Sequence, residues 1–298
     1  MFCIQSKIRS NIFQVIFVIN CYNYCLPLII LNKVVTFFNQ VIGKINNVVY
    51  YLPLTSLGGI RLETAIEIKN VSKVYRIGNE RVIALQNIDL SIPRGEFCCF
   101  LGTSGSGKST LLNLMAGLEK PSRGQIRIMG VNIENLSEKK LTRFRQKFVG
   151  FVFQSYNLMQ AMTALENVSL PLTFRGIPKG FRDKRAKALL AAVGLGKHLR
   201  HKPSQMSGGQ QQRVGIARAF ISKPAIVFAD EPTGNLDSKT TKEVMTLITE
   251  MARKNKQTLV IVTHDIEISR YADRIIHIID GKIESIETNE KFGGIVNA

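Results

Sequence analysis

The stretch Gly102-Thr103-Ser104-Gly105-Ser106-Gly107-Lys108-Ser109, followed by Thr110, constrains this chain more than any other. It fits G-x-x-x-x-G-K-[ST], a loop whose backbone N–H groups cradle phosphate. Glu96–Leu101 before it is a short apolar run of buried-strand length, and Leu111, Leu112, Leu114 and Met115 after it recur at helical spacing. Strand, loop and helix is the context the motif demands, because the helix N-terminus adds its positive dipole to the loop amides. Lys108 is placed to reach β- and γ-phosphates, and the Ser109 hydroxyl to ligate Mg²⁺. A plain Gly/Ser-rich turn would account for the glycines but for neither the Lys-Ser pair nor the two flanks.

The 298 residues leave room for one large domain or two modest ones. Formal charge is +18, of which +5 lies in residues 1–62, where there is no acid, and +13 in residues 63–298. Such an excess suits anionic lipid, nucleic acid or a solvated surface. The bases are dispersed (Lys139, Lys140, Arg143, Arg145 and Lys147, then Arg182, Lys184, Arg185 and Lys187), which is the pattern of solvated faces. Cysteines at 3, 21, 25, 98 and 99 have neither metal-site nor disulfide-framework spacing, and Cys98 and Cys99 are expected to pack in a core strand.

Residues 1–62 differ in character. The apolar blocks Ile12–Ile19 and Leu26–Leu31 are separated by Asn20 and Asn23, with Pro27 inside the second. A membrane helix needs about 20 continuous apolar residues. Lys7 and Arg9 precede an apolar core as in a signal peptide, but no small-residue cleavage site follows. After Met1 the next methionine is Met115, so a start near Leu62-Glu63 would use a non-Met codon. The segment is therefore expected to be a start-site overrun or a weak membrane segment.

From Ala65 the pattern is regular. Ala65–Val71, Val82–Leu85, Ile88–Ile92 and Gln125–Gly130 read as strands and residues 137–147 as a basic helix. Phe148–Phe153 is a buried strand, and residues 163–201 read as helix broken at Pro171, Gly176, Pro178 and Gly194. A helix Gln211–Ile221 follows, then strands Ala225–Ala229, Thr258–Val262, Arg274–Ile279 and Lys282–Ile286. Continuous apolar runs alternating with helices predict an α/β fold with a mostly parallel sheet covered on both faces.

A phosphate loop on such a sheet calls for an acid at a neighbouring strand tip, and Asp230 stands there, placed to hold Mg²⁺ through water. Glu231 beside it suits general-base work on an attacking water. Gln154 follows its strand as a neutral group able to touch both metal and water, and His264 follows another, within reach of a γ-phosphate or that water. A solvated loop or a structural histidine is the ordinary account of each alone; together with the loop they form a set. Ser207-Gly208-Gly209-Gln210 adds a second amide-and-hydroxyl anion site at a helix start. One γ-phosphate does not need two such sites from one chain.

At these residues the sequence resembles the ATP-binding cassette (ABC) ATPases, over residues 64 to about 286. The resemblance adds Met206 before the signature, the D-loop Asn235-Leu236-Asp237, and Tyr75 as the aromatic that stacks on adenine. Met206 replaces the family's usual Leu, and Thr103 stands where many relatives have Pro. The resemblance implies a P-loop NTPase cassette with a RecA-like parallel core, an antiparallel β subdomain and an inserted helical subdomain at about 155–215. The ATPase domain would span 63–286, with 287–298 a short tail. ATP and Mg²⁺ are the implied ligands. A second copy is the implied partner, its Ser207, Gly208 and Gly209 clamping the γ-phosphate in this chain's loop.

Val152–Leu158, Thr163–Val168, Pro203-Ser204-Gln205 and Glu231–Ser238 resemble the cassettes of lipoprotein-releasing and macrolide-exporting transporters. That group implies a membrane permease, here on a separate chain, docking near residues 155–170 on the cytoplasmic face of the membrane. Charge reversal at Glu166 is expected to uncouple transport. Two alternatives stand beside it: a cassette transmitting force to cell-envelope enzymes, and a nucleic-acid-linked ABC ATPase. Against the second, only about 100 residues separate Lys108 from Ser207, with no room for a long coiled coil, and no nucleic-acid partner is expected.

Overall fold

The computed structural model describes residues 63–78 and 80–289. The expectations for residues 1–62, and for most of the tail, lie outside them. The chain divides into two units, 1–60 and 61–298, and every described residue belongs to the second.

Strands β1 (Thr64–Ile77) and β2 (Glu80–Pro93) lead to β3 (Phe97–Leu101), and helix α1 (Lys108–Met115) opens directly on the glycine-rich loop. Then come β4 (Arg123–Ile128), β5 (Val131–Asn132), α2 (Glu138–Phe148) and β6 (Val149–Val152). Helices α3 (Ala164–Phe174), α4 (Lys179–Ala192) and α5 (Gly208–Phe220) follow, then β7 (Ile226–Asp230) and α6 (Ser238–Lys254). The domain ends with β8 (Thr258–Thr263), α7 (Ile266–Ser269), β9 (Arg274–Ile279) and β10 (Lys282–Thr288).

Six strands form one sheet in the order β10-β9-β3-β8-β7-β6, parallel except for the edge strand β10. Every residue of β3 and β8 is buried, which is why β3 and Leu259–Val262 of β8 are unbroken apolar runs. Successive side chains point to opposite faces. Cys98, Phe100, Val260 and Val262 pack with α1 and with the four-stranded antiparallel sheet β2-β1-β4-β5. Phe97, Cys99, Leu259 and Ile261 pack with Ile216 of α5 and with Val244 and Ile248 of α6. The two cysteines therefore pack on either side of the sheet, and burial pushes the Cys99 thiol up to about 12. A third cluster, including Leu158, Val168, Leu172, Leu190 and Val214, holds α3, α4 and α5 together.

Two local expectations change. The strands read as separate at 82–85 and 88–92 are one strand, because Asn87 takes a φ of 50° and its N–H donates to Ser72 Oγ at 3.0 Å, letting the pairing with β1 continue through a bulge. Nor does Pro171 break its helix: α3 runs through it to Phe174. Val168 and Leu172 are buried against α4 and α5, and that packing offsets the one backbone bond proline cannot make. The turn comes where Gly176 takes a φ of 71°.

Asn167, 0% exposed, fastens the loop before α3. Its Nδ2 donates to the carbonyls of Met159, Met162 and Thr163, each at 3.1 Å, and its Oδ1 accepts from the Met159 N–H at 2.8 Å. Asn167→Leu should strand these groups and lower stability by about 3 kcal/mol, measured by denaturant unfolding.

Candidate active site

The parallel strands deliver their C-terminal ends to one edge. Leu101 of β3 pairs with Thr263 of β8, and Asp230 of β7 with Val262. The loop after β3, the Asp230-Glu231 pair after β7 and His264 after β8 are thus neighbours by register.

The loop runs close under other backbone. A Cβ on Gly102 would lie 2.3 Å from the Ile278 carbonyl oxygen, and one on Gly107 (φ 100°) 2.5 Å from that of Ala84. Gly107 caps α1 without a side-chain hydrogen bond, so the first amides of the helix have no capping oxygen. Thr103, Ser104 and Gly105 are exposed, while Ser106 is buried and its carbonyl accepts from Gly281 N–H at 3.0 Å. Lys108 is 5% exposed, and its Nζ curls back to the Thr103 carbonyl at 2.6 Å and Ser106 Oγ at 3.4 Å. Burial lowers its pKa, against the pull of Glu231 and Asp230.

Ser109 Oγ donates to Asp230 Oδ1 at 3.1 Å. The Asp230 carboxyl is raised, chiefly by burial and further by Glu231, while the Ser109 hydrogen bond and Lys108 work the other way. Glu231 sits at a φ of 41°, strained for a residue with a Cβ, and its N–H donates to the Val262 carbonyl at 3.0 Å. His264 Nδ1 lies 2.9 Å from Glu231 Oε1. A carboxylate only accepts, so this contact places a proton on Nδ1 and leaves Nε2 free to face a ligand.

Gln154 comes two residues after β6, and its carbonyl accepts from Asn235 Nδ2 at 3.2 Å. Its side-chain amide lies against Gly234, where a Cβ would be 2.7 Å from Nε2. Fully buried Gln212 of α5 joins the same two segments, its Nε2 donating to the carbonyls of Pro232 and Phe153. Gln212 belongs to none of the motifs above. Its signal is a polar group on the stripe Gln212, Gly215, Ile216 and Ala219, which otherwise faces the interior. Tyr75 of β1 is half-buried beside Thr110, and its hydroxyl donates to Glu119 Oε2 at 2.7 Å.

Ser207 and Gln210 form a capping box on α5: Ser207 Oγ accepts from Gln210 N–H at 3.3 Å and Gln210 Oε1 from Ser207 N–H at 3.0 Å. Gly208 and Gly209 leave room for Tyr156 and Thr240, the nearest atoms to a Cβ at those positions. With Asn235, Leu236 and Asp237 these residues line a cavity of about 460 Å³ that includes none of Gly102–Thr110. The predicted residues thus form two groups, one at the sheet edge and one at the start of α5.

Residues 85–234 match the family model described as ABC transporter. The ATP-binding protein MJ0796 of Methanocaldococcus jannaschii is 47% identical over 226 residues, covering 74% of this chain and 96% of that protein. The chain belongs to the ABC transporter ATP-binding cassettes. It is accordingly an ATPase that binds ATP and hydrolyses it to ADP and phosphate. A solved dimeric structure of MJ0796 in a post-hydrolysis state, bound to ADP and Pi, superposes with a TM-score of 0.72 at 44% identity, covering 76% of this chain and all of that one. The macrolide export ATP-binding/permease protein MacB of Chlorobaculum tepidum is 46% identical over 218 residues, covering 73% of this chain and 33% of MacB.

In this ABC cassette the raised Asp230 has a definite consequence for stability. A carboxyl whose folded pKa lies above its unfolded value favours the protonated fold, and that advantage disappears as pH rises through the folded pKa. Above that pKa the ionised Asp230 is a burden on folding. Asp230→Asn should therefore raise the melting temperature at pH 7, and the gain should shrink as pH falls through the carboxylate range. Thermal unfolding across pH checks this.

Proposed function

We propose that this cassette is the ATPase subunit of a membrane transporter that exports, or releases from the membrane, an envelope substrate of the macrolide or lipoprotein kind. It would act as a dimer with a permease partner at the cytoplasmic face of the membrane. The observation carrying the two-chain part is the division above: Ser207–Gln210 open a cavity apart from the phosphate loop, so a second copy is needed to bring such a group onto it. Likeness to dimeric MJ0796 and to MacB supports the dimer and the permease. Among the described residues no helix is long and apolar enough to cross a membrane.

In this scheme the loop amides of Gly102–Thr110 and the Lys108 ammonium hold the phosphates, and Tyr75 stacks on adenine. Glu231 takes the proton of the attacking water, held in orientation by His264 Nδ1, while His264 Nε2 faces the γ-phosphate. The Ser109 hydroxyl and Asp230 carboxylate, 3.1 Å apart, are hard oxygen donors that fit Mg²⁺, with Gln154 as a further oxygen ligand. When bound, Mg²⁺ neutralises charge on the phosphate oxygens. Ser207, Gly208 and Gly209 of a second copy cover the γ-phosphate, with Gln210 supporting the Ser207 cap.

The docking segment 155–170 needs one change. Glu166 is not a free surface charge: its Oε2 accepts from both N–H and Oγ1 of Thr163, each at 2.8 Å, as the cap of α3. Reversing its charge would fray the helix whether or not a permease docks there. Met159, 50% exposed, is the better probe. Met159→Asp should reduce permease co-purification and transport while the cassette's own ATP hydrolysis stays near its starting rate.

Glu231→Gln should lower turnover by about 10²–10⁴ and accumulate an ATP-bound dimer, read by light scattering with and without ATP. Lys108→Ala should weaken nucleotide binding itself. A Glu231→Gln protein that stayed monomeric at saturating ATP would remove the two-chain site.

A further inference from the structure

Tyr75 is held more closely than a stacking ring requires. Its hydroxyl donates to Glu119 Oε2 at 2.7 Å, and the same oxygen accepts an ion pair from Lys73 Nζ at 3.1 Å. That ammonium also donates to the Lys120 carbonyl at 2.9 Å and lies over the Tyr75 ring, 4.9 Å from its centroid. One face of the ring is therefore occupied by a cation, leaving the other for a purine. Glu119 is in turn fixed to the helix that starts at the phosphate loop. Its N–H donates to the Asn113 carbonyl at 3.3 Å, and its Oε1 accepts from Asn113 Nδ2 at 3.3 Å. Asn113 lies in α1, whose first residue is Lys108.

The connection thus runs from the phosphate loop along α1 to Asn113, across to Glu119, and out to Tyr75 on a strand of the other sheet. Burial works against charge on Glu119, but hydrogen bonds from Tyr75, Lys73 and Asn113 and the Lys73 charge outweigh it and hold the carboxyl below its usual range. An ionised Glu119 is the form that can accept from all three donors at once.

We infer that Glu119 and Lys73 are positioning residues for base recognition, fixing the Tyr75 ring at a set distance from the phosphate loop. The inference rests on the assignment of Tyr75 to adenine proposed above. Fixing the ring before ligand arrives removes the ordering of that side chain from the binding step, so its loss falls on affinity for nucleotides carrying the base. A carboxylate that only stabilised the fold would show no such preference between ligands.

The test measures binding of ATP and of inorganic tripolyphosphate to the full chain by calorimetry, with steady-state hydrolysis alongside. Glu119→Ala should weaken ATP about five- to tenfold and leave tripolyphosphate unaffected, and the kinetic loss should fall on KM more than on kcat. Glu119→Gln, which keeps an acceptor for the Tyr75 hydroxyl but loses the ion pair, should fall between and serves if the alanine variant folds poorly. Tyr75→Phe should add little in the Glu119→Ala background, because both remove the same hydrogen bond. Equal loss for ATP and tripolyphosphate, or no loss for either, overturns the inference. If Tyr75→Ala weakens ATP selectively while the Glu119 variants do not, only the positioning role fails. If Tyr75→Ala shows no selectivity, the adenine assignment fails first, and this inference with it.

Discussion

Parallel pairing of β3, β8 and β7 is the constraint on which the rest of the structure depends. The register places Leu101 beside Thr263 and Asp230 beside Val262, so three chain segments distant in sequence leave the sheet at one edge. Because side chains alternate, a slip of one residue would send Phe100 and Val260 to the α6 face and Cys99 and Ile261 to the α1 face. The two cores, filled from opposite sides, fix the register, and the register fixes the site. Phosphate contact itself needs only local features: a strand end, glycines under foreign carbonyls, and a helix start. What depends on the sheet is the presence of acids beside them.

Those acids and Lys108 oppose each other's environments. Burial lowers Lys108 and raises Asp230, each toward its neutral form, while their mutual attraction acts the other way. Among the described residues, the Lys108 ammonium meets only uncharged oxygens at hydrogen-bond distance, and the Asp230 carboxyl only the Ser109 hydroxyl. Glu231 adds a left-handed backbone. A site built of buried charge and local strain is less stable than an apolar one of the same shape, and it persists because the surrounding sheet over-determines it. A polyanion with a divalent cation is the ligand that would satisfy both signs at once.

Much of this was legible from residues 102–110, 154, 207–210, 230–231 and 264, because their chemistry follows from short spacings and from the ends of apolar runs. The α/β class and the parallel sheet were legible for the same reason: both faces of β3, β7 and β8 are covered, so nothing interrupts their apolar sequence. The features missed depend on distant partners. Nothing near Asn87 in sequence announces that Ser72 will bond its N–H, and nothing near Pro171 announces that two neighbouring helices will hold α3 straight. Glu166 is the exception: its partner Thr163 is only three residues away, and Thr-x-x-Glu is a capping-box pattern that the sequence itself displays. Gln212 bonds to segments about 20–60 residues away, and Glu119 joins nearby Asn113 to Tyr75, 44 residues distant.

The two helix starts, α1 and α5, bear on the proposal that a single chain is half a site. Both have a small residue as cap, Gly107 and Ser207, yet their ends are finished differently. α1 has Gly107 as its cap, which offers no side-chain oxygen to the first amides of the helix. α5 has Ser207, whose oxygen already accepts from Gln210 N–H. A hydroxyl keeps its own proton when it accepts, so Ser207 still has a donor, and that donor stands at a cavity shared with Asn235 and Asp237, apart from the loop. At α5 the cap already takes one amide, leaving the Ser207 hydroxyl proton and the glycine amides to offer, whereas Gly107 takes none at α1. In the proposed two-chain site, the end with fewer donors to offer adds to an anion already held by the other. That asymmetry favours an order in which nucleotide first occupies the loop of one copy and α5 of the other then closes on it.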